Sequence, residues 1–461
     1  MQLISLFLGA SLLSVSVARA LPVSFPGIHP RTASTTSTDV ITTLTNVADD
    51  TSIAGTNTSE KAAAIVSKLN EIASTKTATV SSVESAFSII KDIFSDGPVD
   101  ITEAALDIVS ARLIPSDIFN FLNGYLDSDL NSDSNVNSRS PEKPIYPYIS
   151  PDDAPYSVDE DSLRAAIHIP DSFSYGADGK KPVILVPGTA ARAGTTYHFS
   201  FSKLGKAAAN VDPVWVNIPS ASLDDAQVNS EYVAYAINYI SGISSSKVSV
   251  ISWSQGGLNT QWALKYWPST RAVVEDFIPI SPDFHGTTLA ALLCPGLSTV
   301  GCTPSIWQQK YDSAFISTIR ADGGDSAYVP TTTLYSSLDE VVQPMDGNSA
   351  SAYLSDTRGV GVTNNQVQTI CPGKPAGGAY THEGMLYNPL SWALAIDAIN
   401  HDGPGDPSRL NLDEVCGQLI PPQLELDDVL GTEGLIVVAP AEVLGYGSPA
   451  SGEPPIKRYA K

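Results

Sequence analysis

The stretch Val248-Ser249-Val250-Ile251-Ser252-Trp253-Ser254-Gln255-Gly256-Gly257 reads as a β-branched strand, a turn of small residues and a helix start. A serine hydroxyl is a poor nucleophile until a base takes its proton. It must also stand clear of the backbone, and a sharp strand-to-helix bend with small neighbours presents it that way. The pattern matches G-x-S-x-G with one departure: Ser252 replaces the first glycine. A serine at a helix start is otherwise a capping residue. The strand before it, and Leu258, Trp262 and Tyr266 at helical spacing after it, favour Ser254 as a nucleophile.

Proteins that carry a serine on such an elbow place an acid and then a histidine after it in the chain. Asp339 follows the β-branched run 331–336, and His382 follows the run 367–370. The imidazole would accept the serine proton and pass it to the leaving group, while the carboxylate would fix its tautomer and stabilise its cation. Among the other histidines, His29, His168 and His198 precede the serine and His285 precedes the acid. His401, in a Gly/Pro/Asp-rich stretch, stays a rival. Glu340 and Asp283 rival Asp339, for which a surface carboxylate is the plain alternative. Asp283, in Ser281-Pro282-Asp283, is expected in the pocket. The negative oxygen of a tetrahedral intermediate needs donors. The N–H of Gln255 is one, and Thr189 in Val186-Pro187-Gly188-Thr189 offers an N–H and a hydroxyl, unless that segment is an ordinary Pro-Gly turn.

The elements that must position these groups are short β-branched runs at 183–186, 214–216, 248–253, 277–281, 331–336 and 367–370. Helical patterns alternate with them, as at 228–240. Such alternation predicts an α/β fold with a mostly parallel sheet covered by helices. The candidates lie at the carboxyl ends of strands, where open sheets of this kind gather function. Ahead of this region, apolar residues at three- and four-residue steps predict helices at 62–72 and 83–94. A third is opened by a capping box of Asp100 and Glu103, and a fourth runs from Pro115 to Leu126. The division expected is a signal peptide at 1–20, a Ser/Thr-rich linker and helical segment at 21–144, and a catalytic domain at 145–461.

The first twenty residues are apolar from Leu3 to Val17 and end in Ala18-Arg19-Ala20, the small-residue pattern of a secretory cleavage site. No later stretch is long and apolar enough to span a bilayer, so a secreted, soluble chain is expected. Asn57-Thr58-Ser59 is a glycosylation sequon. With 49 acidic against 26 basic residues the net charge is −23, which opposes nucleic acids and anionic membrane surfaces. A neutral substrate fits better. The cysteines are Cys294, Cys302, Cys371 and Cys416. They allow three connectivities, of which Cys294–Cys302 with Cys371–Cys416 is favoured. None has the spacing of a zinc site.

Together these motifs resemble the fungal lipase family of Candida antarctica lipase B, an α/β-hydrolase family. The matching strings are Val183-Ile184-Leu185-Val186-Pro187-Gly188-Thr189, Trp253-Ser254-Gln255-Gly256-Gly257-Leu258, Pro282-Asp283 and Ile306-Trp307-Gln308-Gln309. Val329-Pro330-Thr331-Thr332, Leu334-Tyr335-Ser336 and Asp339-Glu340-Val341-Val342-Gln343-Pro344 continue the match in order. The resemblance implies the α/β-hydrolase fold, a Ser254–Asp339–His382 triad, and an oxyanion hole of Thr189 and Gln255. It also implies acyl and alcohol pockets lined by Trp253, Asp283 and Gln309, with no metal or organic cofactor. Triglycerides or simpler esters would be substrates, met at a transient lipid–water interface, and no stable protein partner is inferred.

Val214 sits where the family has a cysteine, and the family's C-terminal disulfide is missing, whereas Cys371 and Cys416 match a family bridge. Cys294 and Cys302 fall in the family's short lid segment, so a bridge there predicts little interfacial activation. The family's long apolar helix would fall at 424–444, where Gly and Pro count against it. The helical segment before residue 145 has no counterpart, and is either a propeptide shielding the site or a permanent domain. A polyester or cutin hydrolase, or an acyltransferase, would use the same triad. A non-catalytic binding module would usually lack one of the three residues.

Overall fold

The structure is a computed structural model that describes residues 80–94, 101–115, 129–294 and 301–461, with residues 64, 67, 68 and 71. The secretory signal, Asn57, the Asp100 cap and the helical pattern at 116–126 lie outside the described residues.

Strands β1 (Ile167–His168), β2 (Lys181–Val186), β3 (Val211–Val216), β4 (Val248–Trp253), β5 (Val274–Ile280), β6 (Thr331–Tyr335) and β7 (Val362–Gln366) form one sheet. Its order is β1-β3-β2-β4-β5-β6-β7. Only β1 runs antiparallel to its neighbour; the other pairs are parallel. Side chains alternate across a strand. Accordingly Val183 and Leu185 enter one core while Ile184 and Val186 enter the other. Both faces are buried, which is why these strands read as continuous apolar runs.

Flanking helices are α1 (Val83–Ile93), α2 (Ile101–Ser110), α3 (Ala226–Ser244), α4 (Gln255–Tyr266), α5 (Pro304–Gln308), α6 (Pro389–Asn400), α7 (Leu426–Glu433) and α8 (Leu435–Gly445). Ser82 opens α1 with a reciprocal cap to Ser85, satisfying end groups that would otherwise lack partners. The apolar stretch at 424–444 is helical, broken at Gly434 into α7 and α8, with Pro440 accommodated inside α8.

One expected strand is displaced. Residues Val367–Ile370 form a helical turn, and the strand is the preceding Val362–Gln366. As an edge strand it pairs with β6 alone, so Thr363, Asn364 and Asn365 can sit there without an apolar signature. The two-residue β1 was too short to carry any period.

Helices α1 and α2 join the core of the sheet domain. Ala86, Ile90, Ile101, Ala104, Ile108 and Val109 are buried in the same cluster as Val429, Leu435, Ile436 and Val437. α1 packs on α7 and α2 on α8. At about 1.5–3 kcal/mol for each large apolar side chain removed from water, this docking is part of the folded core. Cys294–Cys302 and Cys371–Cys416 are both bonded, as the sequence led one to expect.

Candidate active site

Ser254 stands between the end of β4 and the start of α4 with φ 55° and ψ −131°. A non-glycine residue at positive φ is strained, and such strain marks sites where geometry matters. Space around the bend explains its small residues. A Cβ on Gly256 would lie 2.5 Å from the Val186 carbonyl oxygen, and one on Gly188 2.8 Å from the Ser254 Cβ. Ser252, which replaces the first glycine of the pattern, is wholly buried and its hydroxyl has no partner.

Asp339 follows β6. Its Oδ1 accepts the N–H groups of Val341 and Val342 at 3.0 and 2.7 Å, and its Oδ2 lies 2.7 Å from His382 Nδ1. Both side chains are buried, at 0% and 4% exposure, so water does not compete for this pair. The other ring nitrogen of His382, Nε2, is buried and has no hydrogen-bond partner. Burial pushes the imidazole pKa down, but the charge and hydrogen bond of Asp339, with the charges of Glu340 and Asp283, carry the net shift upward. Trp253 fixes the same residue from behind, donating from Nε1 to the His382 carbonyl at 3.0 Å.

The rivals separate cleanly. His401 is half exposed, and its ring contacts the buried Asp397 instead of Asp339. Glu340 is buried but accepts the backbone N–H of His382 at 2.9 Å, leaving the ring to Asp339. Asp283 corrects one expectation: it is not among the residues lining the cavity. It is wholly buried with both carboxylate oxygens unpartnered, and burial raises its pKa to about 7. Just before it, Pro282 lies so close to Gly257 that a Cβ there would meet it at 2.6 Å.

Ser254, His382, Trp253, Thr189 and Gln309 line one narrow cavity. The rest of its wall is largely apolar, with Leu293, Ile306, Val341, Leu435, Ile436 and Val443, and Ile101 from α2. Gln255 is the first residue of α4, so its N–H has no partner within the helix. The Thr189 hydroxyl is 2.8 Å from both Gln255 Oε1 and Gln309 Oε1. It donates within this network and would turn to face an oxyanion. The arrangement suits attack on a carbonyl in an apolar slot. Among the described residues no group of three or more His, Cys, Asp or Glu is placed to hold a metal.

Several residues of this region escaped the sequence reading: Ile101 in the wall, and Thr381, Glu383, Tyr387 and Glu433 around His382. Thr381 and Glu383, flanking the histidine, carried the one local signal, their position.

Sheet order and strand-end placement together define an α/β-hydrolase. No protein-family model matches the chain. It is 32% identical to lipase B of Pseudozyma antarctica over 287 residues, covering 61% of this chain and 79% of that one. It is similar to the crystal structure of Aspergillus fumigatus lipase B at 60% identity and a TM-score of 0.84, covering 92% of this chain and 100% of that one. The chain therefore belongs to the fungal lipase family of the Pseudozyma (Candida) antarctica lipase B, and it is a carboxylic ester hydrolase.

Proposed function

We propose that this chain is a secreted lipase that cleaves neutral esters through an acyl-enzyme formed on Ser254. The observation that carries the reading is the buried 2.7 Å contact of His382 Nδ1 with Asp339, which leaves Nε2 unpartnered in the cavity that Ser254 also lines. In the first step the Ser254 hydroxyl attacks the ester carbonyl and gives its proton to His382 Nε2. The Gln255 N–H, with Thr189, receives the developing negative oxygen. The imidazolium, stabilised by Asp339, then protonates the departing alcohol. Water repeats the sequence to release the acid. Catalytic hydrogen bonds are often looser before substrate binds, so the free Nε2 fits this role.

Apolar walls favour acyl chains, and the net charge of −23 favours uncharged esters. Helix α1 packs on α7 and α2 on α8, and Ile101 of α2 reaches the cavity wall. Ser254→Ala should lower ester turnover by about three orders of magnitude or more without changing the melting temperature; unchanged hydrolysis would refute the serine assignment. Leu293 lines the cavity directly before the bridged Cys294, which tethers that wall. Activity on triolein is therefore expected to rise smoothly through the solubility limit. A steep jump there would show a freely opening lid.

A further inference from the structure

Glu433 closes α7 and is wholly buried. Its Oε1 accepts hydrogen bonds from the Tyr387 hydroxyl at 2.5 Å and the Thr381 hydroxyl at 3.2 Å, while its Oε2 is buried without a partner. These two donors bracket His382. Thr381 also accepts the Gly384 N–H at 2.9 Å, so the whole turn is laced to one carboxyl on a different helix. Beside it, Glu383 is buried within hydrogen-bonding reach of Glu340, which holds the His382 N–H.

Among the described residues no Lys or Arg forms an ion pair with Glu340, Glu383 or Glu433. Lys203 pairs with Asp428 near His198, and Arg192 pairs with Glu442 of α8. From α1, Phe87 packs on Tyr380 and Tyr387, with ring centroids 5.1 and 5.7 Å away, while Glu84, Lys91 and Asp92 are exposed. Burial raises Glu433 to about 8, opposed by the Tyr387 hydrogen bond and reinforced by Glu340. Burial and Asp339 raise Glu340 to about 7, and Glu383 is also well above its ordinary value through burial.

We propose that Glu433 is a positioning residue: its hydrogen bonds fasten α7 to the turn that carries His382, and a charge on it displaces helix and turn together. The inference rests on His382 being the catalytic base. An ionised Glu433 would be a desolvated anion facing two further carboxyls with no cation to answer it. Moving α7 toward water relieves that cost and takes the Thr381 and Tyr387 anchors with it.

The test compares the full chain with Glu433→Gln and Glu433→Ala on 4-nitrophenyl butyrate from about pH 6 to about pH 10. The wild-type kcat is expected to fall reversibly as pH rises through about 8, the value to which Glu433 is raised. The Gln variant, isosteric with the neutral acid, should move that fall upward by at least about one unit. The Ala variant should lose kcat by about tenfold or more with KM little changed. Hydrogen exchange of the 426–445 amides, corrected for intrinsic rates, should accelerate over the wild-type transition and stay slow in Gln. Identical alkaline limbs and exchange in wild type and Gln would overturn the proposal, and that comparison stands even if Ala fails to fold. If Ser254→Ala still hydrolyses ester, the catalytic reading fails, while the exchange data continue to decide the fastening of α7.

Discussion

The elbow bearing Ser254 and the turn bearing His382 meet in one cavity but are held by different means. β4 lies in the middle of the sheet, laddered to β2 and β5, and the bend is set by backbone approach at Gly188 and Gly256. The 381–387 turn belongs to no strand. It is held by side chains: Asp339, Glu340, Trp253 and Glu433. Backbone ladders and close-packed glycines tolerate pH; buried carboxyls do not. The proposed nucleophile is thus placed by the scaffold, and the proposed base by a set of polar contacts whose strength depends on protonation.

The largest test of this contrast is Asp339→Asn. Removing the charge that holds the imidazole should cut kcat by about 10⁴-fold while the elbow keeps its conformation; a loss under tenfold would mean that the scaffold alone positions His382. Disulfide removal is a smaller test. Cys371–Cys416 closes a loop of 45 residues leading into the His382 turn, and Cys294–Cys302 one of 8. Loop entropy assigns them about 4 and about 2.5 kcal/mol. Denaturant titration of the two Ser double variants should reproduce that order, with the larger activity loss at neutral pH also falling on the Cys371 pair. The smallest expected effect is on stability against pH. Asp283 and Glu340 are raised to about 7 and Glu433 to about 8 by burial. Below about pH 4 both folded and unfolded chains hold these protons and no penalty arises. As pH rises further the unfolded chain releases them first, so stability falls until the folded values are passed. Melting should therefore occur at lower temperature at pH 8 than at pH 5, and Asp283→Asn should flatten the slope. A flat wild-type profile would show that these groups are solvated.

The sheet and the elbow were legible because period-two burial and small-residue bends leave local marks. The order of Ser254, Asp339 and His382 was readable for the same reason: each follows an element that announces itself nearby. What stayed hidden depended on tertiary context. β7 has no apolar run because it needs none at an edge. Asp283 was expected on the wall because strand-end position says where a residue begins, not how deeply its side chain is buried. Glu383 and Glu433 are charged letters in a sequence, and charged letters read as surface until a fold removes their water.

Ile101 brings the segment ahead of residue 145 to the cavity wall. One stretch of the cavity wall comes from a helix more than a hundred positions ahead of the nucleophile. Substitutions in α2 can therefore reshape the entrance without disturbing β4, the elbow or the His382 turn.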